Sequence, residues 1–322
     1  MHDKRFNCDY MAGMKQAIDG QIKVRTFEDL LLISCTRRTS AAPDGWTKEN
    51  PLYGHCAVVS LVAQNLYGGE LLRTSLENTP FSSMGSHYIN RIEGVNRDFT
   101  APQFGDNYPS GLQFEPKTRD YVLFDPVTRQ PRVTMDRYKV LAFNLAKALY
   151  KENPLFDDPT YQLCFGKALD SGCKKMWFGS VITHGSEVVY AGTNAAIEPL
   201  KSLCTPDCVR DNIQSRTESM IGGCGHAEEL GLWEVAKKGI PLSECSLYVA
   251  GLHTNGLPWI KTEAEHTCLR CAVQMYNAGI GSILVPVHDK WMAITPEEAV
   301  SQAMQYATGQ KKVVRQALRT SE

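Results

Sequence analysis

Two short segments in the C-terminal half, Gly225-His226-Ala227-Glu228 and Thr267–Cys271, constrain the fold more than any other feature of the chain. Each follows an apolar strand-like run and opens a helix-like run. Cys268 and Cys271 are three residues apart, so both sulfurs lie on one face of a first helical turn. Thiolates and imidazole are ligands that zinc prefers, and three protein ligands leave the fourth tetrahedral position open to water. The chain is therefore expected to bring His226 to the two cysteines as one zinc site.

Glu228 follows the histidine by two residues and is not needed as a ligand. A carboxylate at this place is predicted to carry a proton from water to a ring nitrogen and then to a departing amine. An H-x-E segment followed downstream by C-x-x-C is the signature of zinc-dependent nucleobase deaminases. Taken alone, the C-x-x-C pair also suits a redox pair or half of a structural zinc site.

The stretch from about Gly172 to Trp291 resembles the zinc-dependent cytidine and deoxycytidylate deaminase superfamily, and most closely its deoxycytidylate branch. The resemblance rests on Phe178–Ile182, Val188–Asn194, His226–Glu228, Leu247–Val249, Cys268–Cys271 and Asn277–Ile280.

By this resemblance His226, Cys268 and Cys271 bind zinc and Glu228 is the catalytic proton shuttle. Asn194 is a candidate contact to the sugar or base, and Ala227 is a further substrate-binding candidate. Two positions depart from the family pattern. Thr267 stands where proline is usual, and Glu229-Leu230-Gly231 stands where Asn-Ala is common after the glutamate. These departures leave the zinc chemistry intact and leave the substrate open.

The helix after His226 is predicted to turn Trp233 inward and Glu229 towards water. The loop before the two cysteines contains His253, Asn255, Trp259 and His266. An aromatic side chain there is suited to stack on a base, and Trp259 and His266 are substrate-binding candidates. The alternative is an ordinary surface loop.

An insertion ahead of His226 contains Cys204, Cys208 and Cys224. Three cysteines with a fourth ligand from elsewhere suit a second zinc ion, which would be closed and structural. Deoxycytidylate-like enzymes often have cysteines in this insertion, so the resemblance favours the same interpretation. The alternative is three unrelated thiols in a loop.

The N-terminal half contains a different candidate site. Cys56 enters an apolar helix after a glycine-containing turn, a position that stabilises a thiolate. His87 lies in the strand-like Ser86–Ile92 segment, and Asp98 follows after a turn. This order is typical of papain-like thiol hydrolases. Residues Asn50 to Phe104 resemble the YunG-like family, whose fold is related to that group. The alternative is a non-catalytic binding or assembly domain.

Composition sets the class of protein. The 322 residues are enough for two domains, and the net charge of −1 argues against a strongly cationic nucleic-acid binder. Eleven cysteines, with no apolar signal segment and no long apolar span, indicate a reducing cytoplasm and no membrane.

The predicted fold class is α/β. A papain-like α+β domain (1–152) precedes a three-layer α/β/α deaminase-like domain with a mixed sheet (160–310), and a basic tail follows (311–322). Strand character is expected at Tyr121–Phe124.

The leading hypothesis is a zinc-dependent hydrolytic deaminase that converts a cytosine-type base to a uracil-type base and releases ammonia, with a free nucleotide such as dCMP as substrate. The resemblance also implies a homo-oligomer. A deaminase of single-stranded DNA or RNA is possible but less favoured. The remaining alternatives are a thiol hydrolase centred on Cys56 and a nucleotide-binding sensor.

Overall fold

The computed structural model describes residues 27–128, 130–173, 176–198, 204, 208, 223–253, 258–266 and 268–308. The predicted basic tail, Asn255 and Thr267 lie outside these residues. The chain divides into two compact units, Met1–Lys151 and Glu152–Glu322. Within the described ranges, no helix has the length and apolar character needed to cross a bilayer.

Among the described residues, the first unit combines four helices with an antiparallel sheet. The helices are α1 (Phe27–Ser34), α2 (Cys56–Tyr67), α3 (Arg119–Leu123) and α4 (Val133–Leu149). The strands are β1 (Glu70–Ser75), β2 (Ser86–Ile92), β3 (Val95–Arg97) and β4 (Glu115–Lys117), in the order β3-β2-β1-β4. Helix α2 packs on the sheet and against α4, and buried leucines fill the space between them.

The prediction of a strand at Tyr121–Phe124 is wrong, because most of this segment forms α3. Thr118 caps the helix by accepting a hydrogen bond from the Tyr121 backbone N–H at 3.2 Å. Val122 and Leu123 are adjacent in sequence and both buried. A short helix with irregular chain after it buries both, whereas a half-exposed strand would bury alternate residues.

The second unit is built on a five-stranded mixed sheet. Its strands are β5 (Met176–His184), β6 (Glu187–Thr193), β9 (Cys245–His253), β10 (Ser282–Val287) and β11 (Lys290–Ile294), in the order β11-β10-β9-β5-β6. The β9–β10 pair is parallel and the others are antiparallel. Two short strands, β7 (Ala195–Ala196) and β8 (Cys224–Gly225), pair separately. The helices are α5 (Pro159–Leu169), α6 (Ala227–Lys237), α7 (Leu269–Ala278) and α8 (Pro296–Ala307).

Side-chain alternation along β5 divides the helices of this unit into two layers. Ile182 belongs to a buried cluster with Leu232 of α6, Met275 of α7 and Ala303 of α8. The opposite face of β5, which includes Gly179, packs against α5. The unit is therefore a three-layer α/β/α fold with a mixed sheet, as predicted.

Gly179 permits the close approach of β5 to α5. A side-chain carbon at this position would lie 1.8 Å from the carbonyl oxygen of Cys164. Backbone oxygens have little room to move in a packed interface, so only glycine fits here. The contact fixes β5, whose other face supports the predicted zinc site.

Candidate zinc site

The three predicted zinc ligands lie together at the starts of two helices. His226 is the N-cap of α6 and Cys268 is the N-cap of α7. His226 Nδ1 lies 3.1 Å from Cys271 Sγ and 3.5 Å from Cys268 Sγ. All three ligand atoms are within 4.8 Å of one another. The fold therefore brings together the two motifs, which are far apart in the sequence.

This arrangement fits a zinc ion. Zn–N and Zn–S bonds of about 2.0 and 2.3 Å place the nitrogen and sulfur ligands of a tetrahedral site about 3.5 Å apart. Hydrogen bonds with Cys271 and His226 outweigh burial and lower the pKa of the Cys268 thiol to about 4. Burial and the neighbouring sulfur raise the pKa of Cys271. Cys268 is thus already a thiolate at neutral pH, which is the ligand form.

Glu228 is buried beside the ligand set and lies next to a second histidine. Its Oε1 is 3.4 Å from His266 Nε2, and both side chains are almost fully buried. Burial raises the pKa of the Glu228 carboxyl, but the hydrogen bond with His266 and the charge of His226 hold it below the ordinary range. Glu228 is therefore a carboxylate able to accept a proton. His266 is anchored by its backbone N–H, which donates to Gln302 Oε1 at 2.9 Å.

The prediction that Glu229 faces water is wrong. Its side chain is fully buried, and its Oε2 accepts a hydrogen bond from the His226 backbone N–H at 3.1 Å. Its Oε1 accepts hydrogen bonds from Arg270 Nε and from Gln274 Nε2 of α7. One carboxylate therefore connects the starts of both ligand helices. The spacing from N-cap to N3 is the sequence signal that marks this glutamate as a capping residue.

The inward orientation predicted for Trp233 is also wrong, since this side chain is 42% exposed. Leu232 and Val235 supply the buried face of α6 instead. The burial of Glu229 rotates the helix relative to the orientation expected from apolar spacing alone. Trp233 is consequently turned towards the surface.

The predicted substrate-binding residues occupy different surroundings. Asn194 is buried, and its side-chain amide accepts from Phe178 N–H at 2.8 Å and donates to Met176 O at 3.0 Å. Ala227 is fully buried, and its carbonyl accepts from Ser180 Oγ at 2.7 Å, which fixes the first turn of α6 to β5. The substrate roles of both residues remain predictions.

Trp259 lies in the loop after β9 and is half-buried. Its ring meets Phe178 edge-on at 5.1 Å, and Lys261 Nζ lies 4.6 Å from its centre. The ring is thus held by an aromatic contact and a cation–π contact. Its contact with a base likewise remains a prediction.

The cysteines of the insertion approach one another and a fourth cysteine. Cys224 forms a side-chain hydrogen bond with Cys204, and Cys208 and Cys173 lie within electrostatic range of it. Burial and these neighbouring sulfurs raise the pKa of Cys224 to about 12. Ser171 Oγ connects the two regions of chain, because it accepts from Cys173 N–H at 3.2 Å and donates to Asn194 O at 3.0 Å. Sequence reasoning missed Cys173 because it precedes the insertion by many residues.

The three residues of the N-terminal candidate site also lie together, within the first unit. His87 Nε2 is 2.7 Å from Asp98 Oδ2, and the Cys56 thiol interacts with the His87 ring and donates to Ser86 O at 3.8 Å. Both Cys56 and His87 are buried. This cluster is separate from the histidine and cysteines of the second unit.

A mixed-sheet α/β/α unit with one histidine and two cysteines at helix starts, beside a buried carboxylate, defines a class of zinc-dependent hydrolytic enzymes. Comparison with known families agrees with this class. Residues 157–286 match the cytidine and deoxycytidylate deaminase zinc-binding region. Residues 23–150 match the YunG protein family. The chain thus contains a YunG domain and a cytidine and deoxycytidylate deaminase zinc-binding domain, and the latter supports a zinc-dependent deaminase.

The N-terminal part is also similar to a curated protein, the uncharacterized protein YunG of Bacillus subtilis (strain 168). The two are 35% identical over 80 residues, which is 25% of this chain. The chain covers 63% of the length of that protein, which is less than two thirds. No solved structure matches the chain.

Proposed function

We propose that the protein is a hydrolytic deaminase that converts the cytosine-type base of a free deoxynucleotide such as dCMP to the uracil-type base and releases ammonia. The observation that carries this proposal is the group of His226, Cys268 and Cys271 beside buried Glu228. The match to the deaminase zinc-binding region supports it. The net charge of −1 favours a monomeric substrate over a polyanionic polymer.

The roles within the site follow from the positions of the side chains. His226, Cys268 and Cys271 would hold the zinc ion. When bound, zinc supplies a Lewis acid that lowers the pKa of water to about 7 and so provides a nucleophile at neutral pH. Glu228 transfers a proton from water to the ring nitrogen and then a second proton, from the new hydroxyl on the ring carbon, to the departing amine. His266 orients the Glu228 carboxylate through the contact between its Nε2 and Glu228 Oε1.

Base recognition is assigned to the surroundings of this group. Trp259 supplies an aromatic surface for stacking, and Asn194 and Ala227 are the further candidates for contact with the base or the sugar. Their side-chain and backbone hydrogen bonds to β5 hold these groups rigidly in place. Rigid placement lowers the cost of orienting a substrate.

The proposal is tested by ammonia release from the zinc-loaded chain on cytidine, deoxycytidine, their mono- and triphosphates, adenine and guanine counterparts, and a short single-stranded oligonucleotide. Release from dCMP that disappears in Glu228→Gln, with zinc content unchanged, is the expected result. Glu244→Gln, a more exposed glutamate of the same unit, is the matched control and should retain full activity.

Other outcomes point to the alternatives. Activity restricted to the oligonucleotide would replace the nucleotide substrate with a polymer. Nucleotide binding without ammonia release would indicate a sensor. Full activity of Glu228→Gln would remove the assigned proton shuttle.

We also propose that Cys204, Cys208 and Cys224, with Cys173 as the fourth ligand, hold a second, structural zinc ion. Four thiolates are a common structural zinc set. Metal analysis of the purified chain should give two zinc ions, and Cys173→Ser should reduce this to one. Cys164→Ser, a buried cysteine of α5, is the control and should retain two. A single zinc ion in the unaltered chain would contradict this assignment.

The domain limits of 1–152 and 160–310 and a homo-oligomeric state complete the proposal. The limits are supported by the division of the chain into two compact units, one ending at Lys151 and the other beginning at Glu152. The oligomer is supported by exposed apolar side chains on α7 and α8, namely Val273, Tyr276 and Met304. Sedimentation of the zinc-loaded chain should show a species larger than a monomer, whereas a monomer over the full concentration range would contradict it.

A further inference from the structure

The thiol of Cys56 is held in a fixed position at the start of α2. Gly54, at φ +75°, turns the chain into the helix, and a side-chain carbon there would lie 2.5 Å from Ser40 Oγ. The His55 ring is buried, with Nε2 2.8 Å from Thr39 Oγ1 and Nδ1 3.0 Å from Tyr53 O. The first N–H groups of α2 have no partners within the helix, so they are available to donate to a bound oxyanion.

His87 is oriented by a buried carboxylate. Its Nε2 lies 2.7 Å from Asp98 Oδ2, so Nδ1 is the ring atom left for the Cys56 thiol, which interacts with the ring and lies 3.8 Å from the carbonyl oxygen of the preceding residue, Ser86. Asp98 Oδ1 accepts from the N–H and hydroxyl of Thr100 at 2.9 and 3.0 Å, and Tyr108 donates to Oδ2 at 3.0 Å. These bonds fix both the carboxylate and the ring that it holds.

Gln103 brings an amide donor to the same place. Its Nε2 lies 3.5 Å from His87 Nδ1, which is a weak contact, and its Oε1 accepts from the Gly54 N–H at 3.3 Å. Gln103 is itself almost fully buried. The amide N–H groups are therefore directed into the space shared by the imidazole and the turn that precedes Cys56. Such a donor is suited to stabilise an oxyanion.

Aromatic side chains surround the histidine on its remaining sides. The ring of Phe104 lies 4.9 Å from that of His87, and Phe114 and Tyr108 lie 6.3 and 6.4 Å from it. Phe81 packs on Phe104 at 4.7 Å. These aromatic rings favour an apolar group next to the reacting carbonyl of a substrate.

We propose that Cys56, His87 and Asp98 form a second catalytic centre, a cysteine acyl hydrolase that acts on carboxylic esters, thioesters or amides with an apolar acyl group. Gln103 and the Cys56 backbone N–H donate to the oxyanion. This centre lies wholly within the first unit and does not depend on the zinc site for any residue.

The reaction balances with water as the only co-reactant. His87 Nδ1 holds the proton of the Cys56 thiol when sulfur bonds to the carbonyl carbon and the C=O electron pair moves to oxygen. The bond from carbon to the leaving group then breaks, and His87 returns its proton to that group. Water attacks the resulting thioester with His87 as base, the C–S bond breaks, and the proton returns to sulfur. The products are a carboxylic acid and an alcohol, thiol or amine.

The charges around the thiol agree with this assignment. Burial lowers the pKa of His87, but hydrogen bonds with Asp98 and Cys56 outweigh it and raise the pKa to about 9. Arg137 of α4 lies within electrostatic range of Cys56, and its buried Nη1 has no hydrogen-bond partner among the described residues.

The first test uses the full, zinc-loaded chain with p-nitrophenyl acetate and p-nitrophenyl butyrate. The expected result is a burst of one nitrophenolate per chain and an acyl group on Cys56, located by peptide mass spectrometry. His87→Asn should slow the burst by at least about 100-fold, the lower end of the range for general base catalysis. Cys35→Ser, a buried cysteine of the same unit, is the control and should keep the burst.

A second test needs no variant and so does not depend on whether the substituted chain folds. Iodoacetamide is added to the native chain, and the alkylation rate of each cysteine is followed by mass spectrometry. Cys56 should react at least about 10-fold faster than Cys35, because a catalytic nucleophile attacks electrophiles faster than a thiol buried in apolar surroundings. Equal rates, or acylation of any cysteine other than Cys56 in the first test, would overturn the proposal and leave a non-catalytic domain.

Discussion

Replacing Glu229 with glutamine should loosen the two ligand helices together. The carboxylate is fully buried and receives hydrogen bonds from His226 N–H, Arg270 Nε and Gln274 Nε2. Glutamine keeps the shape but loses the charge, so the ion pair between this side chain and the guanidinium of Arg270, only 15% exposed, is lost. Breaking a buried pair costs about 3–5 kcal/mol, and the amide oxygen that remains should reduce this to about 2–3 kcal/mol.

Calorimetry of the zinc-loaded chain measures this effect. For domains of this size the midpoint falls by about 2–4 °C per kcal/mol, so the transition of the second unit should fall by about 5–10 °C. Zinc should also dissociate faster from Glu229→Gln, as judged by transfer to a chromogenic chelator. Glu234→Gln, half exposed on the same helix and paired with Lys237 at the surface, should change the midpoint by less than about 2 °C. Equal shifts for the two variants would refute the bridging role of Glu229.

Two further predictions concern packing and charge. Gly179→Ala should destabilise the second unit by about 3 kcal/mol or more, because the new carbon meets the Cys164 carbonyl oxygen. Gly172→Ala is the control, since Gly172 is exposed and has no atom near the position of a side-chain carbon. Equal urea midpoints for the two variants would contradict the tight contact at Gly179. Asp98→Asn should cost the first unit most stability between about pH 4 and 6.5. Because the pKa of His87 is raised, the stabilisation from the His87–Asp98 pair is lost as the pH rises through about 9. Because the pKa of Asp98 is lowered, the same stabilisation is lost in acid, when the carboxylate is protonated. Urea unfolding at several pH values tests this, and a difference independent of pH would contradict it.

The sequence predicted the features that depend on local spacing. The His226 and Cys268–Cys271 motifs each sit at a helix start, as their spacing indicated, and the ligand atoms meet. The prediction of a three-layer α/β/α fold with a mixed sheet was also confirmed. It depended on the periodicity of the strands and helices, which is a local property of the sequence.

The features that sequence reasoning missed depend on partners distant in the chain. Apolar periodicity placed Glu229 in water because it does not include Arg270, the cation that makes burial of this carboxylate favourable. Gln103 and Cys173 carried no motif, and only the tertiary fold brings them to Cys56 and to the insertion. The side-chain cap at Thr118 decided the local structure of the α3 segment against its strand-like composition.

The most direct test of the account is the conversion of dCMP before and after removal of zinc. The chain is depleted of metal with a chelator, assayed for ammonia and for the uracil-type product, then reloaded with one equivalent of zinc at a time. We expect equal amounts of ammonia and product from the loaded chain, none from the depleted chain, and recovery on reloading. Ammonia release that survives depletion, or a fully loaded chain that converts no cytosine nucleotide, would contradict the zinc-dependent deaminase that His226, Cys268, Cys271 and Glu228 are proposed to form.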